Sequence, residues 1–205
     1  MTSASQSLLA ELDTTLGAAP ATWRRGALRQ ILALFVAGAP SYNHEQVALF
    51  DDVIGRLIMN PDRELLIELS ETLAPVENGP VGILCALAGH RDIAIAGSVL
   101  EQAKAIPDVK LIAIADNERV DPKLLAKIAA RDALSETLTD ILLKRGDRTI
   151  LRKIIDNPKA RVSEGSFARI IMNVNGDKSL ANAIAARGDV PEELRMWLTK
   201  VLEQP

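Results

Sequence analysis

The segment Ile128-Ala129-Ala130-Arg131-Asp132 returns as Ile184-Ala185-Ala186-Arg187-Gly188-Asp189, and positions 128 and 184 differ by 56, two units of 28. Each copy is followed by an acidic helix start and then by Leu138 or Leu194. Weaker copies, an apolar pair, a small or charged turn and a new helix, stand at 87–92, 114–117, 143–147 and 154–158. A unit of this length holds one pair of short helices, which cannot bury its apolar face alone and must stack on its neighbours. The recurrence therefore points to an all-α fold whose helix pairs stack as an α-solenoid, with an irregular helical bundle as the alternative.

The rest of the chain agrees with helices. No run of four to eight residues alternates apolar and polar as a half-buried strand would. Only six of the 205 residues are aromatic (Trp23, Phe35, Tyr42, Phe50, Phe167 and Trp197), which leaves the core to Leu, Ile, Val and Ala. Helix starts are marked by Asn43 with Gln46, Asn60-Pro61, Asp108, Asp121-Pro122, Ser135-Glu136, Ser163-Glu164, and Asp189 with Glu192 as a capping box. Breakers at 38–40, 78–80, 157–158, 175–176 and 187–188 separate them, giving about twelve helices. Residues 1–79 lack the repeat and read as a helical subdomain or cap, with helices over 5–16, 22–37, 43–59 and 61–73. Their apolar stripes, Leu28, Ile31, Leu32 and Phe35, then Phe50, Ile54 and Leu57, are expected to pack on the first repeats or to form a homodimer contact. The repeats are expected over 80–205, with the boundary in the Pro-flanked segment 75–80.

The longest apolar run, 31–39, is about half of the roughly 20 residues that a membrane-spanning helix requires. No membrane association is expected. The first twenty residues have no basic start and carry Glu11 and Asp13, so no signal peptide is expected and the chain reads as cytoplasmic. The single Cys85 lies in the apolar run 83–88 and reads as a buried, inert thiol.

The stretch 34–36 with Tyr42-Asn43-His44-Glu45-Gln46-Val47-Ala48-Leu49-Phe50-Asp51-Asp52-Val53, together with Leu57-Ile58, resembles the N-terminal signature of an uncharacterised alphaproteobacterial family, domain of unknown function 2336. Residues 93–100, 128–131, 139–147, Asn157 and 187–191 fit the same resemblance, which covers roughly 28–200. The resemblance implies a HEAT-like helical fold and no known activity, and it carries over no catalytic residue.

Candidate chemistry is sparse. Asp51 and Asp52 are adjacent, and neighbours on a helix point about 100° apart, so the pair does not converge on one ligand; they read as solvated, with Asp52 placed to pair with Arg56. His44 and His90 have no Cys, His or carboxylate at metal-ligand spacing. No G-x-S-x-G, P-loop, dinucleotide fingerprint or H-E-x-x-H is present. At Gly146-Asp147 and Gly188-Asp189, where free backbone N–H groups could hold an anion, the aspartate itself is expected to take that place as N-cap. No catalytic residue, metal or cofactor is expected.

Charge is the strongest nonrandom feature. The net charge is −3, yet residues 144–169 carry eight Lys and Arg against three Asp and Glu. Arg145, Arg148 and Arg152 follow i, i+3, i+7 spacing and are expected to align on one helix face, with Lys153, Lys159 and Arg161 close in sequence. These six residues are the expected partner-binding set, against the plainer reading of a solvated face. The chain thus reads as a non-enzymatic protein–protein interaction module, an adaptor or regulator that presents an α-solenoid surface to an acidic protein partner. The alternatives are a HEAT-like nucleic-acid-binding protein, against which the near-neutral charge and scarce aromatics argue, and an enzyme of unrecognised type.

Overall fold

The computed structural model describes residues 20–58, 61–145, 147–174 and 177–202. The described residues are all-α, with twelve α-helices. They are α1 (Ala21–Gly38), α2 (His44–Leu57), α3 (Arg63–Leu73), α4 (Val81–Ala88), α5 (Ile93–Gln102), α6 (Asp108–Asp116), α7 (Pro122–Ile128), α8 (Glu136–Lys144), α9 (Arg148–Asp156), α10 (Glu164–Met172), α11 (Lys178–Ala185) and α12 (Glu192–Leu202). A single parallel bridge, Leu134 to Ala160, is the one β-type contact among the described residues. The helix expected over 5–16 lies outside them.

The helices alternate in how they start. Every second one opens on an aspartate whose carboxylate accepts a backbone N–H two or three residues on: Asp62 from Leu65, Asp92 from Ala94, Asp121 from Lys123, Asp147 from Thr149 and Ile150, and Asp177 from Leu180. Those between open on Asn43, Pro80, Pro107, Ser135, Ser163 and Pro191, the last five at intervals of 27 or 28 residues. The Asn43/Gln46 capping box is present as expected. Two expected starts differ. The helix assigned to Asn60-Pro61 is capped by Asp62, because its carboxylate reaches the Leu65 N–H. Asp189 forms no capping box with Glu192, because the helix begins at Glu192, with the Pro191 carbonyl accepting the Arg195 N–H, and Asp189 lies before that position with its carboxylate on Arg187.

The chain divides into two compact units, 1–99 with 103–106, and 100–102 with 107–205. The segment 75–80 lies inside the first. In that unit α1 packs on α2 and α3, and α4 on α2 and α3. Leu28, Leu32, Phe35, Ile54 and Leu57 of the expected stripes are buried, while Trp23, Leu34 and Leu49 stay exposed. Phe35, Tyr42 and Phe50 form an aromatic cluster with centroids 5.1–6.0 Å apart. Cys85 is half-buried rather than buried.

In the second unit α6 packs on α8, α7 on α9, α9 on α11 and α10 on α12, while the neighbours α6 and α7, α8 and α9, and α11 and α12 also pack on one another. That order is what stacked helix pairs produce. In the repeats Leu124, Leu125, Ile128, Leu138, Leu142, Ile150, Ile154 and Ile155 are buried, whereas Ile141 and Leu151 are half-buried.

Candidate functional site

Polar bonds tie each repeat of the second unit to the one before it. Ser135 Oγ donates to Asp108 (2.6 Å), Lys127 pairs with Glu101 (2.6 Å), and Lys159 pairs with Asp132 (2.9 Å). Arg131 donates to the Leu100 carbonyl (2.8 Å), Asn157 to the Arg131 carbonyl (2.8 Å), and Arg187 to the Asn157 carbonyl (2.7 Å). The repeated arginine of the sequence motif is thus the side chain that reaches back into the preceding repeat. Arg187 goes furthest. It is 7% exposed, donates also to the Ile154, Ile155 and Ala160 carbonyls and to Asp189, and lies over the Phe167 ring. Burial pushes the Arg131 guanidinium below the ordinary arginine range, with Asp108 opposing the shift.

This ladder absorbs much of the basic segment. Arg145 does not share a face with Arg148 and Arg152 as expected: the helix begins at Arg148, and Arg145 caps the end of α8, donating to the Asn117 and Glu118 carbonyls. Arg148 pairs with Asp177. Arg152 binds Asp156 (2.8 Å) and Ser179 Oγ (2.9 Å). Lys153 and Arg161 are exposed, and the Arg161 N–H donates to the Leu134 carbonyl.

Around Arg148 the surface opens. A groove of about 480 Å³ is floored by Leu143, Leu151, Ile170, Val174 and Leu180. Lys144, Arg148, Arg169, Asn173 and Asp177 are its polar lining. A second opening of about 420 Å³ shares Arg148, Leu151, Asp177 and Leu180 with it and continues to Arg152 and Ser179. The Leu180 N–H, and then the Arg148 guanidinium, hold the Asp177 carboxyl below the usual carboxylate range. Sequence reasoning named Arg148 and Arg152 of this site and missed Lys144 and Asp177. The clue to Asp177 was its place as an aspartate 30 residues after the N-cap Asp147.

The other candidates act within the fold. Asp51 accepts the Gly82 and Ile83 N–H groups (2.6 and 2.9 Å), so it is not merely solvated: it caps α4, whose own Pro80 offers no side-chain cap. Asp52 pairs with Arg56 at 3.3 Å, as expected. His90 Nδ1 accepts the Asp92 N–H (3.0 Å), and His44 is exposed at the start of α2. Among the described residues no group of three or more His, Cys, Asp and Glu side chains is set to hold a metal ion, and no helix is long and apolar enough to cross a membrane.

A bacterial family model, described as an uncharacterised protein conserved in bacteria (DUF2336), matches residues 95–204. The chain belongs to that family. The match takes in the second unit's repeats, its arginine ladder and the groove, while the signature at 34–58 lies outside the matched span. No curated protein and no solved structure matches the chain.

Proposed function

We propose that this protein is a non-enzymatic interaction module, an adaptor or regulator, whose stacked helix pairs form a solenoid surface and whose basic groove receives an acidic segment of a partner protein. The observation that carries the reading is the groove itself: an aliphatic floor beside Lys144, Arg148 and Arg169, faced by the single carboxylate Asp177. The engagement of Asp51 and His90 in capping and turn bonds supports binding over catalysis. A lining without aromatic side chains supports a protein over a nucleic-acid strand, which binds through stacking as well as charge. The proposed setting is the cytoplasm, for which the lone cysteine is the support.

The test is cross-linking of the full chain in native lysate, with parent and Arg148→Gln/Arg169→Gln protein compared. Cross-links from Lys144, the lysine of the groove lining, to acidic stretches of a protein, lost in the variant and in high salt, are expected. Retention of every partner by the variant, or recovery of nucleic acid alone, would overturn the reading. A second copy of the chain is a further proposed partner, at Trp23, Leu34 and Leu49, which are 54%, 59% and 58% exposed. Light scattering of a Leu34→Glu/Leu49→Glu variant beside its parent tests it.

A further inference from the structure

We infer that the groove binds a peptide segment carrying an apolar side chain flanked by carboxylates, and that Arg148 exchanges Asp177 for a ligand carboxylate as it binds. The inference rests on the interaction-module reading and names its ligand class and its switch.

The two halves of the Arg148–Asp177 pair are unequal. Asp177 is the fixed half: its side chain is 23% exposed, and Oδ1 is committed to the Leu180 N–H at 3.0 Å, where it caps α11. Arg148 is the loose half, with a side chain 79% exposed that reaches Asp177 through Nη2 to Oδ2 alone. A guanidinium binds a carboxylate best through two parallel N–H···O bonds, and Asp177 gives Arg148 only one, through Oδ2, while Oδ1 meets the Leu180 N–H. A carboxylate arriving from solvent can give both. The exchange costs little, because an exposed ion pair contributes at most about 1 kcal/mol in water.

The position of the pair gives the exchange its consequence. Arg148, Leu151, Asp177 and Leu180 line both openings, so the pair lies where the two adjoin, over aliphatic side chains. Turning Arg148 outward to a ligand uncovers Leu151 and Leu180 to one continuous apolar floor. Lys144 and Arg169 add positive charge at the same site, and with Asp177 the only carboxylate facing them the surface complements an acidic segment. An apolar anchor fits the floor, which offers no ring on which a base could stack.

The experiment uses the full chain and a short fluorescein-labelled peptide of leucines flanked by glutamates, read by fluorescence anisotropy. Controls are the same peptide with serine for leucine, the same with glutamine for glutamate, and an oligonucleotide of equal charge. Asp177→Asn keeps an N-cap acceptor while releasing Arg148, and a melting curve checks that the fold is kept. The parent is expected to prefer the leucine–glutamate peptide to every control, and Asp177→Asn to bind it about two- to fivefold tighter. In an Arg148→Gln background the same change is expected to have no effect. Equal tightening in that background would mean that net charge alone acts, and would overturn the exchange while leaving the interaction-module reading standing. Absence of peptide binding up to millimolar concentration, or preference for the serine peptide, would overturn the ligand class. Tighter binding of the oligonucleotide would overturn both the inference and the reading beneath it.

Discussion

Replacing Arg187 by methionine should cost the second unit about 3 kcal/mol. The side chain is 5% exposed in its ion pair with Asp189, whose own side chain is 46% exposed. Four carbonyls receive its N–H groups. Those of Ile154 and Asn157 also accept from Asn157 N and Ala160 N, so they keep a partner when the guanidinium goes. Those of Ile155 and Ala160 lose theirs, at about 1–3 kcal/mol each for a buried acceptor left unmade. Loss of the cation over Phe167 adds somewhat under 1 kcal/mol, and Asp189 returns to water at little cost. Methionine keeps most of the packed volume, which offsets part of this and leaves the total near 3 kcal/mol. With a urea slope of about 2 kcal/mol per M, the midpoint falls by about 1.5 M. Fluorescence of Trp197 in a Trp23→Phe background reads the transition from α12 alone. Asp189→Asn, which leaves every carbonyl satisfied, should cost under about 1 kcal/mol. A loss below about 1 kcal/mol for Arg187→Met, or the reverse order of the two variants, would show that the carbonyls are not held by Arg187 as described.

Leu125 and Ile128 are at most 1% exposed, so Leu125→Ala and Ile128→Ala should each cost about 2–5 kcal/mol; an unchanged urea midpoint for both would contradict the core assignment. Asp51→Ala should lower stability by about 1 kcal/mol while Asp52→Ala leaves it nearly unchanged, because only Asp51 closes a helix start. Gly82→Ala should disturb the same cap, since a Cβ there would stand 2.7 Å from Asp51 Oδ2, and a melting temperature equal to the parent's would refute that. Asp62, Asp92 and Asp177 titrate lower in the folded chain than a free carboxyl does, through helix N–H groups and arginine partners. Their contribution is therefore complete above about pH 4 and is lost as pH falls through the lowered folded values. Circular dichroism against pH should show acid unfolding, and its pH dependence should be shallower in Asp177→Asn.

What the sequence disclosed about the fold came from short-range chemistry. An N-cap bonds two or three residues away, so Asn43, Asp121, Ser135 and Ser163 could be assigned from their neighbours alone. The 56-residue recurrence located Arg131 and Arg187, yet which groups each reaches depends on what the preceding repeat offers, the Leu100 carbonyl among them for Arg131 and four carbonyls for Arg187, which also lies over Phe167 of its own repeat. Asp51 caps a helix that begins 30 residues later, a partnership that exists only once α2 lies against α4. Arg145 was grouped with Arg148 because spacing implies a shared face only inside one helix, and the aspartate at 147 ends that condition by starting a new one. The groove needed three helices to be placed before Lys144, Arg148 and Arg169 could be seen around one floor.

The polar ladder also bears on how the second unit reaches its structure. Its rungs join residues 26 to 33 positions apart, as in Lys127 with Glu101 and Arg187 with Ile154. Chain closure costs entropy that rises with the logarithm of loop length, so every rung asks for nearly the same modest closure and none requires distant ends to meet. Any repeat can serve as a nucleus, and growth proceeds by zippering outward in either direction. Low sequence separation of this kind favours fast folding, and a terminal repeat, which has a neighbour on one side alone, is expected to fray first.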